Sequence, residues 1–417
     1  MKKILTMVLV LVSMTVLAGE STVLNQLRSN PKMAYGGDFP YPCETHQLTE
    51  SPSGYEPFYI SLYARHGSRY YWEKRLYLEL DSVMTMAHER QLLTAEGEDF
   101  YNRFMSIKEE LMTGATELSQ LGWDQHQYIA RTMYNHFSKV FEKGGDVLAI
   151  SSLSGRCVMS MSAFCQELVQ CNPAIEIREM SSRFTLDGVV PDDNENPKKH
   201  RYPLVTPRWE ANKDKFVFTD TLPQRIIERV FTSTDGLPGS TKHIADNLLR
   251  LYTSLPNINH EGLMGSIISD EEIVNRWEFS NLYTYSWIFR PQYNVIPILQ
   301  DIIRKADAVI NGESDRLADL RFGHDSYVGP LTVLMGLNGV DSDPEDPYEV
   351  KNVYQSWQTC KAANIQLVFY RGKGGNDDIL VKCLLNGVEA SLPVDTMIYP
   401  YYKWSDLRDL YIQRCHQ

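Results

Sequence analysis

The sequence predicts an α/β fold: a three-layer wound mixed sheet with helices on both faces, plus an inserted, mainly helical cap domain. Short apolar, β-branched runs alternate with stretches of helical period before residue 180 and again after residue 316. Residues 181–315 between them hold helical patterns and few strand signals. Charged groups suited to binding an anion follow directly after three of the strand-like runs.

The elements follow in chain order. Two lysines, an apolar run from Ile4 to Leu17 and the small residues Ala18 and Gly19 read as a signal peptide over residues 1–18, because a run of 14 residues is too short to span a bilayer. The aromatic and β-branched segment PFYISLY, residues 57–63, predicts a buried strand that runs into the turn at Gly67. A helix is expected from Glu117 to Phe141, with Ala130, Tyr134, Phe137 and Phe141 on one stripe and Gly144-Gly145 as its stop. DVLAISS (146–152) predicts a second strand, a helix starts near Arg156, and AIEIREM (174–180) predicts a third strand. After the helical middle come RLADLRF (316–322), a helix over 328–337, a hairpin of NIQLVFY (364–370) and ILVKCLL (379–385), a turn at Asn386-Gly387 and a helix over 405–414. The domains expected are thus an α/β core of residues 19–180 and 316–417, with residues 181–315 as the cap.

Composition narrows the function. The chain has 417 residues, with 41 Lys+Arg against 53 Asp+Glu, a net charge of −12 that argues against a nucleic-acid partner. Hydrophobic residues at 43% and charged ones at 23% are those of an ordinary globular protein, and no internal repeat or Gly/Ser linker interrupts the chain. No further stretch approaches transmembrane length, so no membrane insertion is expected once the signal is removed. The 7 cysteines form no C-x-x-C pair and are expected to be a mixture of buried thiols and one to three disulfides. No N-x-S/T sequon occurs, which favours a bacterial periplasm or a secreted protein over a eukaryotic secretory route. Apart from His66 and His324 the histidines are scattered without H-E-x-x-H spacing, so neither a metal nor a cofactor is expected.

Ligands of open α/β sheets sit beyond the carboxyl ends of the strands. Arg65, His66 and Arg69 end the first strand, Ser154 and Arg156 follow the second, and His324 and Asp325 follow a later one. Three arginines, two histidines and one carboxylate converging on one edge suit a tetrahedral dianion, since each guanidinium offers a planar fork of donors.

The order of these blocks resembles the histidine acid phosphatases, branch two of the histidine phosphatase superfamily, which includes phytases and multiple inositol polyphosphate phosphatases. R-H-G-x-R appears as Arg65-His66-Gly67-Ser68-Arg69, the next block as ELSQLG with Glu117 and Gly122 followed by Arg131 and Tyr134, the third as SSLSGRCVMSMSAF with Arg156, and the H-D dipeptide as His324-Asp325. LLNGVEASLP resembles a strand of the family near the C-terminus. The resemblance implies an exported phosphomonoesterase acting on a phosphorylated small molecule, with inositol polyphosphates of the phytate type as substrates. It implies His66 as nucleophile, Asp325 as proton donor, and Arg65, Arg69, Arg156 and His324 as phosphate ligands, without a metal. Tyr71 stands where the family often has proline. The inositol polyphosphate branch usually carries H-A-E in place of H-D.

Plainer readings stand beside these. An Arg-His pair in a loop is commonly surface, Asp325 has the position of a helix N-cap, and Tyr70, Tyr71 and Trp72 suit either cap packing or a substrate wall. The run Lys198, Lys199, His200 and Arg201 suits a second phosphate or a solvated loop. Three other functions fit parts of the pattern: a general acid phosphatase on sugar phosphates, nucleotides or phosphoproteins, a non-catalytic anion-binding protein, and a phosphoglycerate mutase-type transferase. The signal peptide disfavours the last.

Overall fold

The computed structural model describes residues 22–191, 203–374 and 378–416. Residues 1–18, expected to be a signal peptide, and the basic run 198–201 lie outside the described residues. Eight strands form one mixed sheet: β1 (Tyr55–Arg65), β2 (Gly145–Ser151), β3 (Ile175–Met180), β4 (Ala318–Gly323), β5 (Asn364–Gly372), β6 (Leu380–Leu385), β7 (Val388–Ala390) and β8 (Tyr402–Lys403). Their order is β3-β2-β4-β1-β5-β6-β7, with β8 also paired to β6. The first four strands in that order run parallel, and pairing is antiparallel from β1 onward. Asn386 and Gly387 close the β6–β7 hairpin with φ of 56° and 81°, the doubly left-handed turn that Asn-Gly favours.

The longer helices are α1 (Lys74–Glu89), α2 (Ala95–Gly114), α3 (Gln120–His136), α4 (Gly155–Cys171), α5 (Leu222–Val230), α6 (Thr241–Ser254), α7 (Asp270–Phe289), α8 (Ile296–Ile310), α9 (Asp325–Met335) and α10 (Trp404–Cys415). Their starts are written in the sequence: Thr94, Ser119 and Ser240 accept the N–H of Gly97, Gly122 and His243, and Ser269 with Glu272 makes a full capping box. The helix expected over 117–141 is α3 plus a separate turn at 138–141, because Phe137 leaves helical geometry.

Consecutive residues of β4 point to opposite faces and so reveal the layers. Phe322 packs its ring against His126 of α3 and Phe164 of α4, with centroids 5.6 and 5.5 Å away. Arg321 faces the other way and meets Asp301 of α8 at 2.7 Å. Around that pair Tyr59 donates to Asp319 (2.8 Å), Arg321 donates to Ser61 (3.0 Å), and Arg316 and Lys305 reach Asp319 at 3.0 and 3.3 Å. A parallel sheet covered on both faces ordinarily reads as uninterrupted apolar strand. Here each buried charge is tolerated because it has an opposite partner and hydrogen bonds.

A second hydrophobic cluster lies off the sheet. Leu76, Tyr77, Leu80 and Met84 of α1 and Phe100 and Phe104 of α2 pack with Ile226 and Val230 of α5, Leu248 and Leu251 of α6, and Ile273 and Trp277 of α7. Sequence reading passed over α1 and α2, although the spacing of Leu76, Leu80, Val83 and Ala87 and the Thr94 cap were visible signals. Ile298, Leu299 and Ile302 of α8, by contrast, join the cluster on the sheet.

One expectation is corrected. None of the seven cysteines is paired, so there are no disulfides. Cys157, Cys165 and Cys171 share α4, and separations of eight and six residues place them roughly 12 and 9 Å apart along its axis, beyond the ~7 Å that a disulfide spans. Cys360 and Cys383 are buried thiols in the sheet cluster.

The turn after β1 is clamped to α3 by two glycines. A Cβ on Gly67 would lie 2.4 Å from the Gly122 carbonyl oxygen, and a Cβ on Gly122 would lie 2.1 Å from that of Ser68. Both contacts are backbone, which cannot swing aside as a side chain does. Gly122→Ala is therefore expected to cost about 1–3 kcal/mol or more, read as a lower urea midpoint at unchanged m-value. A midpoint equal to that of the parent would show that the two backbones separate freely.

Candidate active site

Register brings the charged strand ends together. Arg65 pairs with Gly323 and Ser151 with Phe322, so the carboxyl ends of β1, β4 and β2 are level. The His66 N–H continues the ladder to the Gly323 carbonyl at 3.0 Å, and the Ser152 N–H to that of Phe322 at 3.0 Å. From the other side the 360–363 turn holds the loop: the Ala362 N–H donates to His66 and the Arg65 N–H to Ala363. Two further bonds complete the cradle, with the Gly67 N–H donating to Ser160 of α4 and the Ser68 N–H to Gln125 of α3. The R-H-G-S-R stretch is thus fixed by β4, β5, α3 and α4 together.

These residues surround a cavity of about 450 Å³ lined by His66, Arg69, Trp72, Arg156, Trp287, His324, Asp325, Ser326 and Tyr327. Larger hollows of about 590 and 670 Å³ lie in the helical body, and the histidine in the first, His243, is taken up by Glu79 at 2.8 Å. Neither gathers cations around an open nucleophile.

His66 is buried, and its Nδ1 lies 2.9 Å from the Gly67 carbonyl. A carbonyl only accepts, so Nδ1 carries the proton and Nε2 keeps its lone pair. Burial, then Arg69, Arg65, Arg156 and Lys361, push the imidazole well below its ordinary pKa, so it is neutral. His324 stands nearly perpendicular to it, with ring centroids 5.6 Å apart. Burial and Arg156 push the His324 imidazole down to about 4, and its Nε2 meets the Ser152 hydroxyl at 3.1 Å.

The arginines divide by position. Arg69 and Arg156 line the cavity, whereas Arg65 stands behind its wall, donating to the Gly37 and Thr359 carbonyls (2.6 Å each) and pairing with Asp325 at 2.7 Å. In all three the buried Nε has no acceptor. A buried unsatisfied donor costs about 1–3 kcal/mol, more when charged, and the guanidinium groups of Arg69 and Arg156 that line the cavity, with Arg65 behind them, give it a positive field suited to an anion. Arg156 lies in the first turn of α4, whose Ser154 cap makes no side-chain bond, leaving the amide end of the helix toward the same edge.

Asp325 is the first residue of α9, with His324 at the cap position, so the cap reading gives way to an ion pair with Arg65. Its side chain keeps 35% of its surface exposed. Burial alone would raise its pKa, but Arg65, Lys361, Arg69 and His324 outweigh that and hold it down at about 2. Among the aromatic trio, Tyr71 is buried in the second cluster, Tyr70 donates to Glu110 and Trp72 faces the cavity. Glu117, Arg131 and Tyr134 are not at the site: Arg131 joins α3 to Glu167 of α4 at 2.6 Å, and Tyr134 stacks on Phe141.

Sequence reading missed Lys361 and Asp38. Lys361 is 1% exposed, pairs with Asp38 at 2.6 Å, and is driven by burial and by Arg65 down to about 7. Asp38 is held below its ordinary pKa by Lys361, Arg69 and Arg65 against the effect of burial. The two are 323 residues apart, a separation with no local signal. Among the described residues no group of three or more His, Cys, Asp or Glu is arranged to hold a metal ion, and no helix is long and apolar enough to cross a membrane.

No family model matches the chain, and no curated protein matches it by sequence. Solved structures do. The multiple inositol polyphosphate phosphatase of Bifidobacterium longum in complex with inositol hexasulfate superposes with a TM-score of 0.68 at 18% identity, covering 90% of this chain and 97% of that one. Its phosphate complex gives 0.69 at 17%, covering 92% and 98%. The phytase of D. castellii gives 0.64 at 15%, covering 92% and 85%. Over about nine-tenths of its length the chain has the fold of this phosphatase and this phytase.

Proposed function

We propose that the protein is an exported phosphomonoesterase that hydrolyses inositol polyphosphates of the phytate type through a phosphohistidine on His66. The observation that carries the reading is the neutral imidazole with a free Nε2 set among three guanidinium groups whose buried Nε atoms lack acceptors. The likeness to an inositol polyphosphate phosphatase and a phytase supports the substrate class. Residues 1–18 act as the export signal. Residues 19–180 and 316–417 serve as the phosphatase core and 181–315 as the cap, to which α1 and α2 contribute packing.

In this mechanism Arg69, Arg156 and His324 hold the non-bridging oxygens and Arg65 closes the field from behind. His66 Nε2 attacks phosphorus in line, the N–P bond forms, the P–O ester bond breaks, and Asp325 gives its proton to the departing alkoxide. Water then attacks phosphorus, Asp325 takes a proton from it, the N–P bond breaks, and inorganic phosphate leaves with the imidazole neutral again. Asp325 has to be protonated for the first step, yet Arg65, Lys361 and Arg69 hold it near 2. A bound phosphate dianion offsets the surrounding cations and raises that pKa, so the acid is armed by the substrate.

Three outcomes are expected. His66→Ala lowers kcat by ~10⁴-fold or more at an unchanged melting temperature, measured by phosphate release from phytate with excess chelator present; retention of several per cent of the activity would remove the nucleophile. Asp325→Asn costs far more on alkyl than on aryl phosphates, because a phenolate departs without a proton; equal losses would make Asp325 structural. Lys361→Met removes a cation that depresses the His66 pKa, and Lys361 is charged in the acid range because its own value is near 7. The His66 pKa then rises, and the acid limb of kcat/KM moves to higher pH by about half to one unit, with Lys361→Arg restoring it. A limb that stays in place would remove Lys361 from the field acting on His66.

A further inference from the structure

Once the phosphate-facing groups are set aside, what lines the cavity is aromatic. His66, Arg69, Arg156, His324 and Asp325 belong to phosphate chemistry, which leaves Trp72, Trp287, Ser326 and Tyr327 to meet the rest of the substrate. Trp72 and Trp287 are 48% and 44% exposed. Elsewhere among the described residues, Trp209, Trp277 and Trp404 are buried and Trp123 and Trp357 half-buried. The two tryptophans with large open faces thus both stand on this one cavity. A single exposed aromatic needs no explanation; a pair converging from separate elements on a site with an anion trap at its base does.

Both are carried by backbone that is held in place. Trp72 rests against Tyr71, with ring centroids 6.1 Å apart, and the N–H of buried Tyr71 donates to the Tyr77 hydroxyl at 2.8 Å. Trp287 lies near the end of α7 between Ser286, which donates to Glu210, and Ile288, which packs so tightly on α9 that a Cβ on Gly329 would lie 2.7 Å from it. A rigid indole face loses little conformational freedom on contact and presents a flat, weakly hydrated surface.

We propose that Trp72 and Trp287 are the specificity walls of the site, taking the ring faces of the alcohol or phenol that carries the phosphate, so that cyclic and aromatic monoesters are preferred over linear ones. Indole faces suit the C–H faces of a cyclitol or sugar and the π face of an aryl group, whereas a short linear alcohol cannot cover either wall. The proposal rests on the phosphatase reading above and names the shape of the group it releases.

The test is kcat/KM of the full-length protein and of Trp72→Ala, Trp287→Ala, Trp72→Phe and Trp287→Phe on phytate, p-nitrophenyl phosphate and glycerol 3-phosphate. Each alanine variant is expected to lose about tenfold on the two ring-bearing esters, mainly through KM. Activity on glycerol 3-phosphate should stay within about twofold, and the phenylalanine variants should keep most activity. Near-UV circular dichroism and melting temperature check that each variant is folded. Equal losses on all three esters, or no loss on any, would overturn the assignment while leaving the phosphatase intact. A parent protein that releases phosphate from none of them overturns the phosphatase reading, and the wall assignment falls with it.

Discussion

Crowding of like charge around one imidazole is the constraint on which the site depends. Arg65, Arg69, Arg156 and Lys361 all depress the His66 pKa, and four cations in a space of low dielectric repel one another strongly. They stay together because the fold supplies counter-groups at fixed points: Asp325 on Arg65, Asp38 on Lys361, and the Gly37 and Thr359 carbonyls on the Arg65 guanidinium. The compensation is incomplete by three Nε donors. That excess of positive charge favours an anion in the cavity, and the same field keeps the His66 imidazole unprotonated.

The rest of the architecture holds that arrangement still. Level strand ends aim the three charged loops, and the Gly67–Gly122 contact sets the height of the His66 turn above α3. On the far side of the sheet the Arg321–Asp301–Asp319 network ties β4 to α8. His324 and Asp325, which leave β4 directly, therefore start from a strand fixed on both faces. Helix α7 brings Trp287 to the cavity, and its neighbours Tyr285, Ile288 and Phe289 pack in a third cluster with Val333 of α9 and Tyr354.

The parts legible in the sequence were those whose signal is local. Apolar runs of strand length, Ser and Thr caps, and the turn at Asn386-Gly387 depend on neighbours along the chain, and the structure has them within a few residues of expectation. His66, Arg69, Arg156, His324 and Asp325, which the structure gathers around one cavity, were conspicuous because each lies at or shortly after the carboxyl end of a strand, where an α/β sheet places its ligands. Lys361 and Asp38 were not, since a buried ion pair across 323 residues leaves no mark on periodicity, and nothing local to α7 shows that Trp287 faces the cavity. Helices α1 and α2 were readable from spacing and capping but were overshadowed by the motif before them. The expected disulfides are absent; for the three cysteines on α4 the reason is geometric, since they lie too far apart along one helix to meet.

The seven unpaired thiols carry a consequence for how the protein is made and where it endures. With no covalent cross-link in the fold, its stability comes from packing, buried ion pairs and hydrogen bonds alone. The chain acquires its structure without an oxidising compartment or a disulfide isomerase, and reductant leaves the folded state untouched. Cys157, buried at the edge of the site with its thiol raised to about 12, stays unreactive toward oxidants that need a thiolate.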